Sequence, residues 1–159
     1  MIESELAAYL KNPALDDQSQ AARNTARTNL SAAIGTRVYM ARREEQTLTP
    51  ALTLRRQTTM PQSDLDGECG MRTVLLSLIL WVREDAGSPM KVVDIADDLR
   101  QAVNHYRGTM GTLYVYGCEI ENDYMLAPIK PDDGSDLWLY SYVIDVLMSF
   151  QQTAVSVIT

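Results

Sequence analysis

Few side chains in this sequence could catalyse a reaction or hold a metal ion, and those few are far apart. There is one histidine, His105, and there are two cysteines, Cys69 and Cys118. A metal site needs several imidazole, thiolate or carboxylate groups that converge, and no such partner stands at helical spacing from His105. We therefore predict a structural or solvent-exposed role for His105, near a helix C-terminus where a positive charge is favoured.

The two cysteines indicate thiols without catalytic chemistry. Cys118 lies in an apolar strand pattern and is predicted to be a small core residue. Cys69 stands between Glu68 and Gly70, where nearby acids disfavour the thiolate that a nucleophile requires. Two unpaired cysteines without metal spacing are typical of a reduced, cytosolic environment.

Acidic clusters are the remaining candidates for chemistry. Asp94, Asp97 and Asp98 are spaced about one helical turn apart, and paired carboxylates can bind a cation. On an exposed helix face such groups more often serve solubility. The segments 64–68 and 132–136 resemble fragments of a calcium loop but lack its distal glutamate. No phosphate-binding loop or nucleophile elbow is present, so we predict no catalytic, cofactor or metal residues.

The elements that would position these groups are clearest in the last third of the chain. From Trp138 to Phe150 every second residue is apolar or aromatic, a period of two that predicts a long β-strand. Residues Met71 to Arg83 are apolar on both alternating sets, which predicts a central strand covered on both faces. A strand of this length is unusual for a compact domain and favours a protein that works within an assembly.

The other patterns complete an α+β prediction. Helices are predicted at 2–10, 18–34 and 88–106, strands at 37–40, 48–59 and 113–121, and loops at 41–47, 60–70 and 128–136. We predict a single domain over residues 1–159 with a mostly antiparallel mixed β-sheet and helices packed on it. The segment Met71 to Glu121 is predicted to be a right-handed strand–helix–strand crossover.

Charge is distributed unevenly along the chain. The formal net charge is −7, but residues 18–57 contain seven arginines and two glutamates, so this stretch is +5 and the remainder is −12. Net negative charge disfavours binding to nucleic acid or anionic membranes. No apolar run is long enough to span a membrane, and the acidic N-terminus does not resemble a signal peptide. The arginines form either a solvated surface or one half of a complementary contact between copies.

Sequence patterns along nearly the whole chain resemble the tail-terminator, or tail-to-head joining, family of long-tailed bacteriophages. The segments that carry the resemblance are, in chain order, IESELAAYL, the Gly-Thr-Arg-Val-Tyr run at 35–39, ALTLRRQTT, RTVLLSLILWVRE, IADDLRQAV at 95–103 and LWLYSYVIDV. The chain differs from the usual pattern in the Ala/Arg-rich segment 17–34 and in the segment 60–70.

The resemblance implies a structural virion protein without enzymatic activity, made in the host cytoplasm. Such proteins form a ring, commonly of six copies, that ends the tail tube and meets the head connector. Implied partners are further copies of the chain, the tail tube protein and the connector or adaptor protein, with DNA passing through the lumen and no membrane. Two alternatives stay open, a head-completion or adaptor protein of the neck and, less favoured, a small cation-dependent cytosolic enzyme.

A ring needs two different surfaces on each copy, one for each neighbour. The unequal charge distribution suggests a basic and an acidic surface. The predicted subunit interface comprises Arg23, Arg27, Arg42, Arg43, Arg55 and Arg56 on the basic side and Asp64, Asp66, Glu68, Asp94, Asp97 and Asp98 on the acidic side.

Overall fold

The computed structural model describes residues 2–11, 21–40, 49–64, 67–83, 89–130 and 138–152. These residues form three helices and a six-stranded sheet. The elements are α1 Ile2–Lys11, α2 Ala21–Ile34, β1 Val38–Met40, β2 Ala51–Asp64, β3 Gly67–Arg83, α3 Pro89–Val103, β4 Gly108–Met110, β5 Leu113–Met125 and β6 Leu139–Gln152. The predicted α+β class is confirmed.

The strand order in the sheet is β1-β2-β3-β6-β5-β4. The short β1 is parallel to β2, and every other neighbouring pair is antiparallel. Because β3 and β5 are both antiparallel to β6, they run parallel to each other with β6 inserted between them. The predicted strand–helix–strand unit therefore exists, but its two strands are not neighbours.

The main core lies between the helices and one face of the sheet. In β6 the alternate residues Ile144, Val146 and Met148 are completely buried, together with Leu76 and Leu78 of β3. Each helix contributes an apolar stripe to this core, with residues at helical spacing. The buried helix residues are Ile2, Leu6 and Leu10 of α1, Ala26, Leu30 and Ile34 of α2, and Val92, Ala96, Leu99 and Val103 of α3.

Two glycines end elements where a side chain would be strained. Gly35 has φ of +58° and its N–H donates to the carbonyl of Ser31 at 2.8 Å, which ends α2 as predicted. Gly111 has φ of +60° in the turn between β4 and β5, and a Cβ there would overlap the carboxylate of Glu5. The strand β4 itself was not predicted, because three residues carry too little alternation to be recognised.

The prediction of a loop at 60–70 is wrong. The β2–β3 ladder continues past Met60, which pairs with Thr73, to Asp64, which pairs with Gly67. Pro61 lies within this ladder, opposite Arg72, and a register shift follows it. A proline is tolerated near a bulge, or on an edge strand where no neighbouring strand needs the N–H that proline lacks. The proline, glycines and acids of this segment predict a loop, although the hairpin continues through it.

The prediction that β3 is covered on both faces is also wrong for the described part of the chain. Its position at the centre of the sheet, between β2 and β6, is confirmed. The three described helices, however, all pack on the face that carries Leu76 and Leu78. On the other face, which we call the open face, Leu75, Ile79 and Trp81 are only partly buried. No described helix is long and apolar enough to cross a membrane.

Candidate interaction surfaces

Two of the arginines predicted for the interface lie inside the molecule. The side chain of Arg27 is completely buried, and its Nε and Nη2 donate to the carbonyl of Tyr9 at 3.2 and 2.9 Å. Its guanidinium also lies 4.0 Å from the centre of the Tyr9 ring. Arg23 is 7% exposed, donates to the carbonyl of Asn104 at 3.2 Å and stacks on Tyr106. These side chains join α1, α2 and the end of α3, so neither contributes to the surfaces proposed below.

A second pair of predicted residues, Arg55 and Arg56, points to opposite faces of β2. Arg55 is exposed on the open face, opposite Ser77 in the ladder. Arg56 lies on the helix side, where its Nε and Nη2 donate to the two carboxylate oxygens of Glu3 at 2.5 and 2.8 Å. Partial burial raises the pKa of Glu3, but the hydrogen bonds from Arg56 and from its own backbone outweigh burial and hold that pKa below its usual value.

The predicted acids on α3 face solvent at the helix surface. Asp94 and Asp97 are exposed, and Asp97 accepts a hydrogen bond from Arg100 at 2.5 Å. Partial burial and the neighbouring carboxylates of Asp97 and Asp94 raise the pKa of Asp98, although a hydrogen bond with Asn29 opposes them. The partners of Asp97 and Asp98 are the helix residues Arg100 and Asn29, so these carboxylates do not converge on one binding point.

The remaining predicted residues belong to the β2–β3 hairpin or to the segment that precedes β2 in the sequence. Asp64 and Glu68 lie in the paired strands near the hairpin end, with Asp64 opposite Gly67 and Glu68 opposite Ser63. Arg42, Arg43 and Asp66 lie outside the described residues, as does the predicted loop 41–47.

The open face has a polar centre on β2, β3 and β6. Ser77 donates to Oδ1 of Asp145 at 2.7 Å, and the amide of Gln57 donates to the same oxygen at 3.0 Å and also contacts Ser77. A shallow cleft of about 410 Å³ lies over this centre. It is lined by Arg55, Arg56, Gln57, Ser77, Ile79, Tyr124, Leu126 and Val143. Its lining combines polar side chains with the apolar side chains of Ile79, Leu126 and Val143, so it suits a protein side chain or segment of mixed character.

The end of β5 and the residues that follow it form an exposed margin of the sheet beside β6, which we call the arm. All ten residues from Glu121 to Lys130 are exposed, and the arm is closed by a bridge between Ile129 and Leu139. Five of the seven exposed large hydrophobic side chains among the described residues lie here. They are Tyr124, Met125, Leu126, Ile129 and Trp138. We refer to these five as the arm hydrophobics; a cluster of this kind marks an interaction site more often than chance.

The base of the arm is fixed to α3 by charge. Arg100 donates to Oδ2 of Asp123 at 2.9 Å through Nε and to the hydroxyl of Tyr142 at 3.2 Å through Nη2. Burial and the nearby Asp123 carboxylate raise the pKa of Tyr142. Arg100 therefore links the arm and β6 to the helix layer.

The four long strands β2, β3, β6 and β5 form the middle of the sheet. The outer edges of β2 and β5 lack a described neighbour over part of their length. On one side β1 ends at Met40, opposite Leu54, and no described strand pairs with the outer edge of β2 from Arg55 onward. On the other side β4 reaches only Val115, and the last described contact is the His105 N–H on the Cys118 carbonyl at 2.8 Å. From Glu119 to Met125 no described strand pairs with the outer edge of β5.

The residues considered for chemistry are dispersed. His105 is exposed in the turn after α3, while Cys118 is buried on the helix side of β5. Burial raises the pKa of the Cys118 thiol to about 12, which keeps it protonated at neutral pH. Cys69 lies in the first residues of β3. No group of three His, Cys, Asp or Glu residues able to hold a metal occurs among the described side chains.

The arm hydrophobics and the acids of β5 were not predicted as interface residues. The signal was present in the segment ENDYMLAPIK at 121–130, where apolar residues cluster without the alternation of a half-buried strand. The predicted strand ends at Glu121 and the predicted loop begins at Pro128, so residues 122–127 carry no predicted element. The exposure of this segment depends on where the core stops, which is not encoded in the segment itself.

No protein-family model matches the chain, and no curated protein matches it. Among solved structures, the chain is similar in fold to a chain from the virion of a native gene transfer agent particle. The TM-score is 0.49 and the sequence identity 16%, over 82% of this chain and 93% of that chain.

Proposed function

We propose that this chain is a structural protein of a long-tailed phage virion that assembles into a ring, ends the tail tube and joins it to the head connector. The sequence resemblance supports this role and implies six copies in the ring. The arm is the structural observation that carries the proposal. An exposed margin of the sheet with five large hydrophobic side chains is suited to docking on another protein of the particle.

The geometry separates two kinds of contact, as a ring at a junction requires. Contacts between copies use surfaces on the sides of each subunit, whereas contacts with the tube or connector use surfaces at its ends. The β2–β3 hairpin extends past the described end of β6, since Met71 pairs with Gln151, whereas the arm lies at the opposite end of the sheet, where Ile129 is bridged to Leu139 and Leu139 pairs with Arg83. Each subunit therefore offers a projecting hairpin at one end and the exposed side chains of Leu126, Ile129 and Trp138 at the other.

Co-sedimentation with purified tail tubes, and separately with purified connector complexes, tests the proposal. We expect the wild-type chain to bind tubes and the Leu126→Ser/Ile129→Ser variant to bind about tenfold or more weakly, because hydrophobic anchors dominate such interfaces. Met40→Ser is the matched control, since Met40 is 43% exposed on β1 and lies outside the arm. This control should bind as the wild type does.

The same experiment distinguishes the position in the neck. Binding to connector complexes without any binding to tubes would replace the tail-terminator role with that of a head-completion or adaptor protein. A chain that binds neither assembly, and that light scattering shows to remain at 17.8 kDa in their presence, would contradict both roles.

A further inference from the structure

We propose that copies of this chain join edge to edge, with the outer edge of β5 in one copy pairing with the outer edge of β2 in the next to make one continuous antiparallel sheet. This inference rests on the proposed ring and specifies the contact that closes it. The basic edge is defined as Arg55–Thr59 of β2, and the acidic edge as Glu119–Met125 of β5.

Open backbone edges are the first reason. A strand edge without a neighbour presents unpaired N–H and C=O groups that can accept another strand. Both edges are long, because β1 and β4 span only three residues each and leave the rest of β2 and β5 without a described neighbour.

Strand direction is the second reason. β2 is antiparallel to β3, β3 to β6, and β6 to β5, so β2 and β5 of one copy run in opposite directions. Copies related by rotation about an axis along the strands keep their strand direction. Such copies bring β5 of one against β2 of the next in antiparallel orientation, which is the more stable pairing. The contact joins two different surfaces, which is what a closed ring requires.

Charge complementarity is the third reason, and it identifies the occupant as a second copy. Within the basic edge Arg55 is the exposed cation, since Arg56 is paired with Glu3, and within the acidic edge Glu119 and Glu121 are the exposed acids available to a neighbour, since Asp123 is paired with Arg100. Arg55 and Glu119 are both exposed, and both belong to the open face of the sheet, because Arg55 pairs with Ser77 and Glu119 with Leu147. Like edges would repel, so the pairing of unlike edges also selects the register of neighbours.

Two of the arm hydrophobics, Tyr124 and Met125, would strengthen this contact, which leaves Leu126, Ile129 and Trp138 for the docking proposed above. Tyr124 and Met125 form the end of the acidic edge and are 41% and 39% exposed. When β5 pairs with a neighbour, these side chains lie against that neighbour's β2. Hydrophobic contact at one end of the ladder would add to the attraction of opposite charges along it, whereas the like charges of two β5 edges disfavour their pairing.

Charge reversal on the full-length chain tests the proposal, with mass measured by light scattering. Arg55→Glu alone, and Glu119→Arg/Glu121→Arg alone, should each raise the apparent dissociation constant for self-association about tenfold or more. A chain that carries all three substitutions should recover assembly, because its reversed edges are complementary again. Asp94→Arg is the control, since it reverses one charge on the exposed surface of α3, with the same +2 change as each single glutamate reversal.

A second measurement keeps the result interpretable. Circular dichroism establishes that each variant is folded, and amide hydrogen exchange compares the wild type at low and high concentration. We expect new protection at Arg55–Thr59 and Glu119–Met125 on assembly, with no change on the exposed face of α3. Assembly that is insensitive to the reversals, with no new protection at the edges, would overturn the edge pairing and leave the ring proposal intact. A chain that stays monomeric alone and with tail tubes would overturn both.

Discussion

Arg27 shows how a charged residue can belong to the core. It is completely buried on α2, yet its guanidinium binds the backbone carbonyl of Tyr9 twice and lies over the Tyr9 ring. The Tyr9 hydroxyl in turn donates to the carbonyl of Ala102 at 2.9 Å. Arg23 makes a similar contact with Tyr106, and the two tyrosine rings are 5.0 Å apart. Four side chains thus connect all three helices, so these arginines stabilise the fold of one copy.

Arg27→Lys is expected to lower the free energy of unfolding by about 1–3 kcal/mol. A lysine has a point charge rather than a planar fork, so it loses the paired hydrogen bonds and the stacking on Tyr9, and a buried polar group is left poorly satisfied. Equilibrium urea denaturation at pH 7 measures the difference. Arg107→Lys, at an exposed position, is the control and should change stability by less than about 0.5 kcal/mol. Equal stability of both variants would contradict the structural role assigned to Arg27.

At the scale of elements, the sheet is longer than the core that covers it. The helices cover the middle of β3 and β6, while the β2–β3 hairpin extends past the described end of β6 and the arm lies beside β6 at the margin of the sheet. A few paired side chains link these margins to the helices. Glu3 with Arg56 links α1 to β2, and Arg100 with Asp123 links α3 to the arm.

Glu3→Gln is expected to lower stability at neutral pH by about 1 kcal/mol, because it removes a two-point charge-assisted contact that is partly shielded from water. The folded-state pKa of Glu3 lies below its usual value of 4.5, so the stabilisation is present above that value and is lost as the pH falls through the folded pKa. The variant should therefore lose less stability than the wild type on acidification below about pH 4.5. Thermal unfolding followed across pH 3–7 would contradict this expectation if the two curves stayed parallel.

At the scale of the whole molecule, the overall negative charge conceals a separation of charge between two strand edges. A net charge of −7 would keep copies apart if it were spread evenly. The arginines that remain at the surface of β2 and the acids of β5 lie on opposite sides of the long-stranded sheet instead. Copies in one orientation then attract each other, and copies in the reverse orientation repel.

Self-association is accordingly expected to weaken with ionic strength. Raising sodium chloride from about 0.05 to 0.5 M shortens the screening length to a few ångströms, so the apparent dissociation constant should increase several-fold. Sedimentation velocity over a concentration series measures this constant. Association that is unchanged by salt would indicate a contact made by the arm hydrophobics alone, without a contribution from the charged edges.

Local patterns in the sequence were sufficient to predict the three helices, the long β6, the central place of β3 and the α+β class, because period and capping are properties of short segments. They could not show that residues 60–70 continue a hairpin, since a proline and acids within that segment are tolerated only when a neighbouring ladder supports them. Nor could they tell a buried arginine from an exposed one: Arg27 and Arg55 differ in the environment that the packed helices and the sheet create. Which side chains are left outside the core, from the arm to the two open edges, was decided by the tertiary structure, because exposure depends on where distant segments of the chain meet.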